Sequence, residues 1–130
     1  MKALVVEDEF TSREILKRLL APLFEVDLAV NGQEAVQAFT LAHDLGRPYT
    51  LVLMDIMMPV VDGLEALTSI RALERQGGLE PVKVLMTTAL SDPKTVIKSF
   101  HDGEASGYLI KPIERTKLFA ELQKLGLVRE

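Results

Sequence analysis

The stretch Leu51-Val52-Leu53-Met54-Asp55-Ile56-Met57-Met58-Pro59 joins an unbroken apolar run to a carboxylate and then to a proline. Such a run suits a strand buried on both faces of a parallel sheet. Asp55 then stands where the core gives way to a loop. Near the amino end, Ala3-Leu4-Val5-Val6 is followed by Glu7-Asp8-Glu9, so a second apolar run also delivers acid at its carboxyl end. Two buried strands that end in carboxylates imply one shared acidic pocket.

The chain has 130 residues, enough for one compact domain over 1–130 and too few for two. Its 48% hydrophobic and 26% charged content is that of a globular chain able to bury a core. A net charge of -4 gives no general attraction to nucleic acid or to anionic lipid. With no cysteine, disulfides and thiolate metal sites are excluded. The apolar run at Met1-Lys2-Ala3-Leu4-Val5-Val6 is too short for a signal peptide, and no apolar stretch approaches the ~20 residues of a membrane helix. The expectation is a soluble, cytoplasmic domain with no membrane or nucleic-acid contact of its own.

Strands and helices alternate along the chain. After Ala3–Val6, Thr11-Ser12-Arg13-Glu14 fits a capping box, and Ile15, Leu16, Leu19, Leu20 and Leu23 recur at helical spacing behind it. Val26, Leu28 and Val30 alternate with Asp27 and Ala29, as in a strand near a sheet edge. Asn31-Gly32 opens a second helix with Ala35, Val36, Phe39 and Ala42 inward, and Gly46 and Pro48 stop it. Tyr49–Met54 is a third strand. Asp62-Gly63 starts a third helix with Leu64, Leu67 and Ile70 inward, and Gly77-Gly78 ends it. Val82–Met86 is a fourth strand, and Ser91-Asp92-Pro93 begins a fourth helix with Val96, Ile97 and Phe100 on its inner face. Tyr108–Ile110 is a fifth strand, and a final helix carries Leu118, Phe119, Leu122 and Leu125. Five βα units with short connections and right-handed crossovers predict an α/β, doubly wound, five-stranded parallel sheet with five helices.

In such a sheet ligands bind beyond the carboxyl ends of the strands, where strand order reverses. With order 2-1-3-4-5, strands one and three flank that point and bring Glu7, Asp8 and Asp55 together. Strand four adds Thr87-Thr88 and strand five adds Lys111. Clustered carboxylates repel, and a hard cation such as Mg²⁺ relieves the repulsion with oxygen ligands. His43 and His101 fall on helices away from this rim, which disfavours zinc and copper. A carboxylate beside Mg²⁺ can attack phosphorus, while Lys111 and Thr88 can meet the oxygens of the transferred group. There is no Walker loop and no G-x-G-x-x-G, so the parts for accepting a phosphoryl group are present without those for holding a nucleotide.

Five segments agree in order and spacing with one family: Val5-Val6-Glu7-Asp8-Glu9, Met54-Asp55-Ile56-Met57-Met58-Pro59, Asp62-Gly63, Met86-Thr87-Thr88-Ala89 and Gly107-Tyr108-Leu109-Ile110-Lys111-Pro112. Over essentially all its length the chain resembles the receiver domains of bacterial two-component response regulators, chemotaxis regulators included, whose fold is flavodoxin-like. The resemblance implies that Asp55 takes a phosphoryl group from the phosphohistidine of a histidine kinase or phosphotransfer protein. It makes Asp8 and Asp55 the carboxylate ligands of Mg²⁺, with Glu7 acting through metal-bound water and Met57 lending its backbone carbonyl. Thr88 and Lys111 match the residues that contact phosphoryl oxygens, Tyr108 matches the switch aromatic, and Lys111-Pro112 resembles a bond that is commonly cis. The implied product is a signalling module rather than an enzyme. It speaks to an unidentified protein target through the fourth helix, fifth strand and fifth helix.

Several residues have plainer readings. Glu9, Arg13, Lys17 and Arg18 fit solvated surface, with Ser12, Ile15 and Leu16 near the pocket as a kinase-docking face implied by the resemblance. Met54, Met57 and Met58 fit packing, since thioethers do not suit Mg²⁺. Met57, and Leu90 two residues past Thr88, stand where relatives often carry polar side chains that guide attacking water. Neither can orient water by hydrogen bonding, which predicts slow self-dephosphorylation. Met57 also stands where phosphohydrolases that use an aspartate nucleophile carry a second acid, against that rival reading. Glu104 occupies a position that is glycine in many relatives. Glu104-Ala105-Ser106 lacks the paired aspartates common before this tyrosine in DNA-binding regulators.

Overall fold

The computed structural model describes residues 1–88 and 105–128. Five strands, β1 (Lys2–Val6), β2 (Glu25–Ala29), β3 (Leu51–Asp55), β4 (Lys83–Thr88) and β5 (Gly107–Ile110), form one parallel sheet in the order β2-β1-β3-β4-β5. The described helices are α1 (Phe10–Leu20), α2 (Gly32–Asp44), α3 (Gly63–Gly77) and α4 (Arg115–Lys124). The doubly wound sheet and its strand order are those the sequence predicts. The helix expected from Ser91, its inward Val96, Ile97 and Phe100, and Ala89, Leu90, His101 and Glu104 lie outside the described residues.

The period of two in each strand sorts the core into two layers. Leu4, Val6, Val52, Met54, Val84 and Met86 face Ala35 and Phe39 of α2 and Ala66, Leu67 and Ile70 of α3. Ala3, Val5, Leu51, Leu53, Leu85 and Leu109 face Leu16 and Leu20 of α1 and Leu118 and Leu122 of α4. The three central strands are therefore apolar on both sides, which is why they read as unbroken runs.

Local chemistry sets the helix starts. Asn31 caps α2 by accepting from the Glu34 backbone N–H, and Asp62 caps α3 by accepting from that of Glu65. Gly63 is required by close approach: a Cβ there would lie 2.1 Å from the Asp55 carbonyl oxygen. Gly63 N–H donates to the Ile56 carbonyl at 2.9 Å, so the start of α3 is pinned to the backbone that carries Asp55. Gly78 closes α3 with φ +62, the left-handed cap favoured for glycine.

Two local expectations are corrected. Helix α1 begins at Phe10, and its N-cap is Glu9, whose carboxylate accepts from the Ser12 N–H; Thr11 and Glu14 form no capping box because they already lie inside the first turn. In β2 it is Ala29 that is buried, while Leu28 and Val30 are each 38% exposed. This strand is an edge paired only with β1, so one face is incompletely covered.

Candidate functional site

Strands β1 and β3 pair as neighbours, with Val6 opposite Met54, so Glu7 and Asp55 leave the core at one level. Both are buried, and Asp8 beside them is exposed. Carboxylate oxygens of Glu7, Asp8 and Asp55 lie within 4.8 Å of one another. Lys111 arrives from the end of β5, its backbone N–H donating to the Thr88 carbonyl at 2.7 Å and its bond to Pro112 cis. Its Nζ donates to both Glu7 oxygens, at 2.9 and 3.0 Å, and to Asp55 Oδ2 at 2.9 Å. Asp55 Oδ1 accepts from the Met57 N–H at 3.2 Å. Residues separated by more than a hundred positions in the chain thus meet at one rim, as the topology requires.

Among the described residues charge at this rim is out of balance, with three carboxylates against one ammonium. Burial, and then the hydrogen-bonded like charge of Asp55, push the Glu7 carboxyl up to about 7 and outweigh the opposing pull of Lys111. At Lys111 burial acts against the charge, but the bonds to Asp55 and Glu7 prevail and hold its ammonium above the usual lysine range. The donor set is all oxygen, which suits a hard divalent cation. A cation here would offset the burial and the like charge that keep Glu7 reluctant to ionise.

Thr88 is buried at the end of β4, and Tyr108 lies on β5, 40% exposed. Met54 packs as expected and Met58 is partly buried, but the Met57 side chain is 75% exposed and packs on neither core. It leaves the strand after the last paired residue and turns outward. His43 sits on α2, edge-on to Phe39 at 4.8 Å and away from the rim.

Glu9 is exposed, as the sequence suggests, but the bonds that Arg13 and Glu9 make to the acidic loop were not read from the sequence. The Arg13 guanidinium donates to the backbone carbonyls of Glu7, at 3.0 Å, and Asp8, at 3.4 Å, and so holds the loop that presents both acids. Glu9 ties the same loop to α1 through its cap, a bond that holds its carboxyl below the usual range. Beside Lys111, a mainly apolar cleft of about 330 Å³ is lined by Ser12, Ile15, Leu16, Lys111, Pro112 and Ile113. No described helix is long and apolar enough to cross a membrane.

A doubly wound parallel sheet that gathers an acid cluster and a lysine at its switch point has the parts of a metal-assisted phosphoryl acceptor. Comparison with known proteins makes this specific. Residues 3–123 match the family model "Response regulator receiver domain", and the chain belongs to that family. It is 36% identical over 120 residues to the osmosensing histidine protein kinase SLN1 of Saccharomyces cerevisiae, covering 91% of this chain and 9% of that protein. Among solved structures, it superposes with a TM-score of 0.84 and 30% identity on the S. cerevisiae Ssk1 receiver domain, co-crystallised with the histidine phosphotransfer protein Ypd1. That match covers 97% of this chain and 88% of the other. The response regulator TrrA of Thermotoga maritima, solved in complex with Mg²⁺-BeF, matches with a TM-score of 0.76 and 34% identity over 96% and 99% of the two chains. The chain spans only 5–9% of the histidine kinases it matches and 54% and 47% of two proteins named as probable transcriptional regulators.

Proposed function

We propose that residues 1–130 act as a single receiver domain whose Asp55 accepts a phosphoryl group from a phosphohistidine. The donor is a histidine kinase or a histidine phosphotransfer protein. The observation that carries this reading is the convergence of Glu7, Asp8 and Asp55 with Lys111 Nζ at 2.9 Å from Asp55 Oδ2.

An Asp55 carboxylate oxygen forms the new bond to phosphorus as the phosphorus–nitrogen bond to the donor imidazole breaks, and the imidazole nitrogen keeps the electron pair. Asp8 and Asp55, the Met57 backbone carbonyl and Glu7 through water are the groups to hold Mg²⁺. When bound, the ion supplies charge neutralisation between the carboxylates and the phosphoryl oxygens. Lys111 is within reach of the same oxygens through its position on Asp55, and Thr88, at the end of the next strand, contacts another. Drawing Thr88 toward the phosphoryl group makes room for Tyr108 to turn inward from its exposed position, which changes the surface of β5 and α4. The apolar cleft beside Lys111 suits the helical face of the phosphodonor protein.

Intact-mass spectrometry after incubation with Mg²⁺ and acetyl phosphate tests the reading. The native chain is expected to gain the mass of one phosphoryl group, and Asp55→Asn to gain none. A native chain that gains nothing is a docking module without phosphoacceptance. Catalytic turnover of phosphomonoesters would instead favour a hydrolase.

A further inference from the structure

We infer that Thr87 is a positioning residue for Asp55, one whose hydroxyl takes over as donor to the Asp55 carboxyl when Lys111 moves to the phosphoryl group. The inference rests on the phosphoacceptor reading and adds to it a residue that the reading leaves unused.

The register places Thr87 directly opposite Asp55 on one side and Leu109 on the other. Side chains in one row of a parallel sheet project to the same face, with neighbouring strands about 4.8 Å apart. Asp55 lies two residues beyond Leu53, Thr87 two beyond Leu85, and Lys111 two beyond Leu109, and these three leucines share the core layer under α1 and α4. Glu7 is two beyond Val5 of the same layer. Glu7, Asp55 and Thr87 therefore form one polar row that caps this layer, with Lys111 reaching over it to the first two.

Thr87 is 1% exposed, and its Oγ1 has no hydrogen-bond partner among the described residues. A buried hydroxyl without a partner is costly, and valine would fill the same strand position without that cost. Strand propensity accounts for a β-branched side chain here but not for the oxygen. Asp55 has both its oxygens engaged in this state, Oδ1 by the Met57 N–H and Oδ2 by Lys111. Once Lys111 follows the phosphoryl oxygens, Asp55 Oδ2 loses its donor, and the Thr87 hydroxyl, opposite it in the register and without a partner, is the buried donor at hand. A bond there satisfies both groups and fixes the Asp55 side chain for in-line approach to phosphorus.

The test compares the limiting rate of phosphoryl uptake from acetyl phosphate at saturating Mg²⁺ in the native chain, Thr87→Val and Thr87→Ser. Thr87→Val is expected to lose about tenfold in limiting rate, with unchanged half-saturation by the phosphodonor and no loss of melting temperature. Thr87→Ser, which keeps the hydroxyl and loses the methyl, is expected to stay within about twofold of native. Thr87→Ala against Thr87→Ser repeats the comparison with the methyl absent from both, should valine disturb packing. A packing role reverses the order: Val at the native rate, or Ser as slow as Ala, overturns the assignment. Absence of uptake by the native chain overturns the phosphoacceptor reading itself and the inference with it. Uptake at one rate in all variants overturns only the role of Thr87.

Discussion

Two buried ion clusters occupy opposite ends of the sheet and differ in their charge balance. At the amino end of β4, Glu74 of α3 accepts from Arg71 at 2.7 Å and from the Val82 N–H at 2.6 Å. Among the described residues one acid here meets Arg71, and the carboxylate's second oxygen is used to anchor the strand. At the carboxyl rim, among the described residues, Glu7 and Asp55 share the Lys111 ammonium with Asp8 close by, and Glu7 resists ionisation. A buried charge persists when it is paired and hydrogen-bonded, so the first cluster is complete as it stands. The second is complete only with further positive charge. Imbalance, rather than burial, separates the site from the scaffold.

Breaking the balanced end is the larger perturbation to folding. Glu74→Ala removes the acceptor of both the buried Arg71 and the Val82 N–H and is expected to cost about 3 kcal/mol in denaturant unfolding. Mg²⁺ binding at the other end should survive that change; a coupled loss would show that the two ends are not independent.

The unbalanced end has a pH signature. Burial and the neighbouring Asp55 push the folded Glu7 carboxyl from its ordinary 4.5 up to about 7, so the native state holds an extra proton between those values. In metal-free buffer, stability is therefore highest on the acid side of this window. It falls as pH rises through about 7, by on the order of 3 kcal/mol in all. Glu7→Gln should flatten that slope between pH 5 and 7, about the span of the shift. An unchanged slope would assign the titration elsewhere.

Smaller effects sharpen the contrast along the rim. Val60, in the loop that follows Asp55, is 74% exposed and has φ +70, a conformation that strains a β-branched residue. Val60→Gly is expected to stabilise the fold by about 1 kcal/mol, measured by the same unfolding curves. Met57→Asn combined with Leu90→Glu should raise the rate of acyl-phosphate hydrolysis severalfold, since both supply groups that can orient water. An unchanged lifetime of the phosphorylated chain would remove that explanation.

Much of this was legible in the chain. The apolar runs at Leu4-Val5-Val6, Val52-Leu53-Met54 and Val84-Leu85-Met86 reveal central strands because helices cover both of their faces. Topology then brings Glu7, Asp8, Asp55 and Lys111 to one rim without any knowledge of distances. Less was legible wherever side chains choose among nearby backbone partners. The capping box read at Thr11 missed the cap of α1, which is Glu9, the residue just outside the first turn. Arg13 reaches back six residues to the Glu7 carbonyl, a contact that helical periodicity does not encode. The alternation in β2 misled because an edge strand is covered unevenly. Met57 looked like part of a packed methionine group but leaves the sheet outward.

The central claim, that uncompensated acid at the carboxyl rim forms the cation site that prepares Asp55, is tested most directly by Mg²⁺ titration followed through backbone amide resonances. Saturable shifts are expected at Glu7, Asp8, Asp55 and Met57, absent at Arg71 and Glu74, and strongly weakened in Asp55→Asn. A titration in which the rim amides do not move, or move no more than those around Glu74, would contradict it.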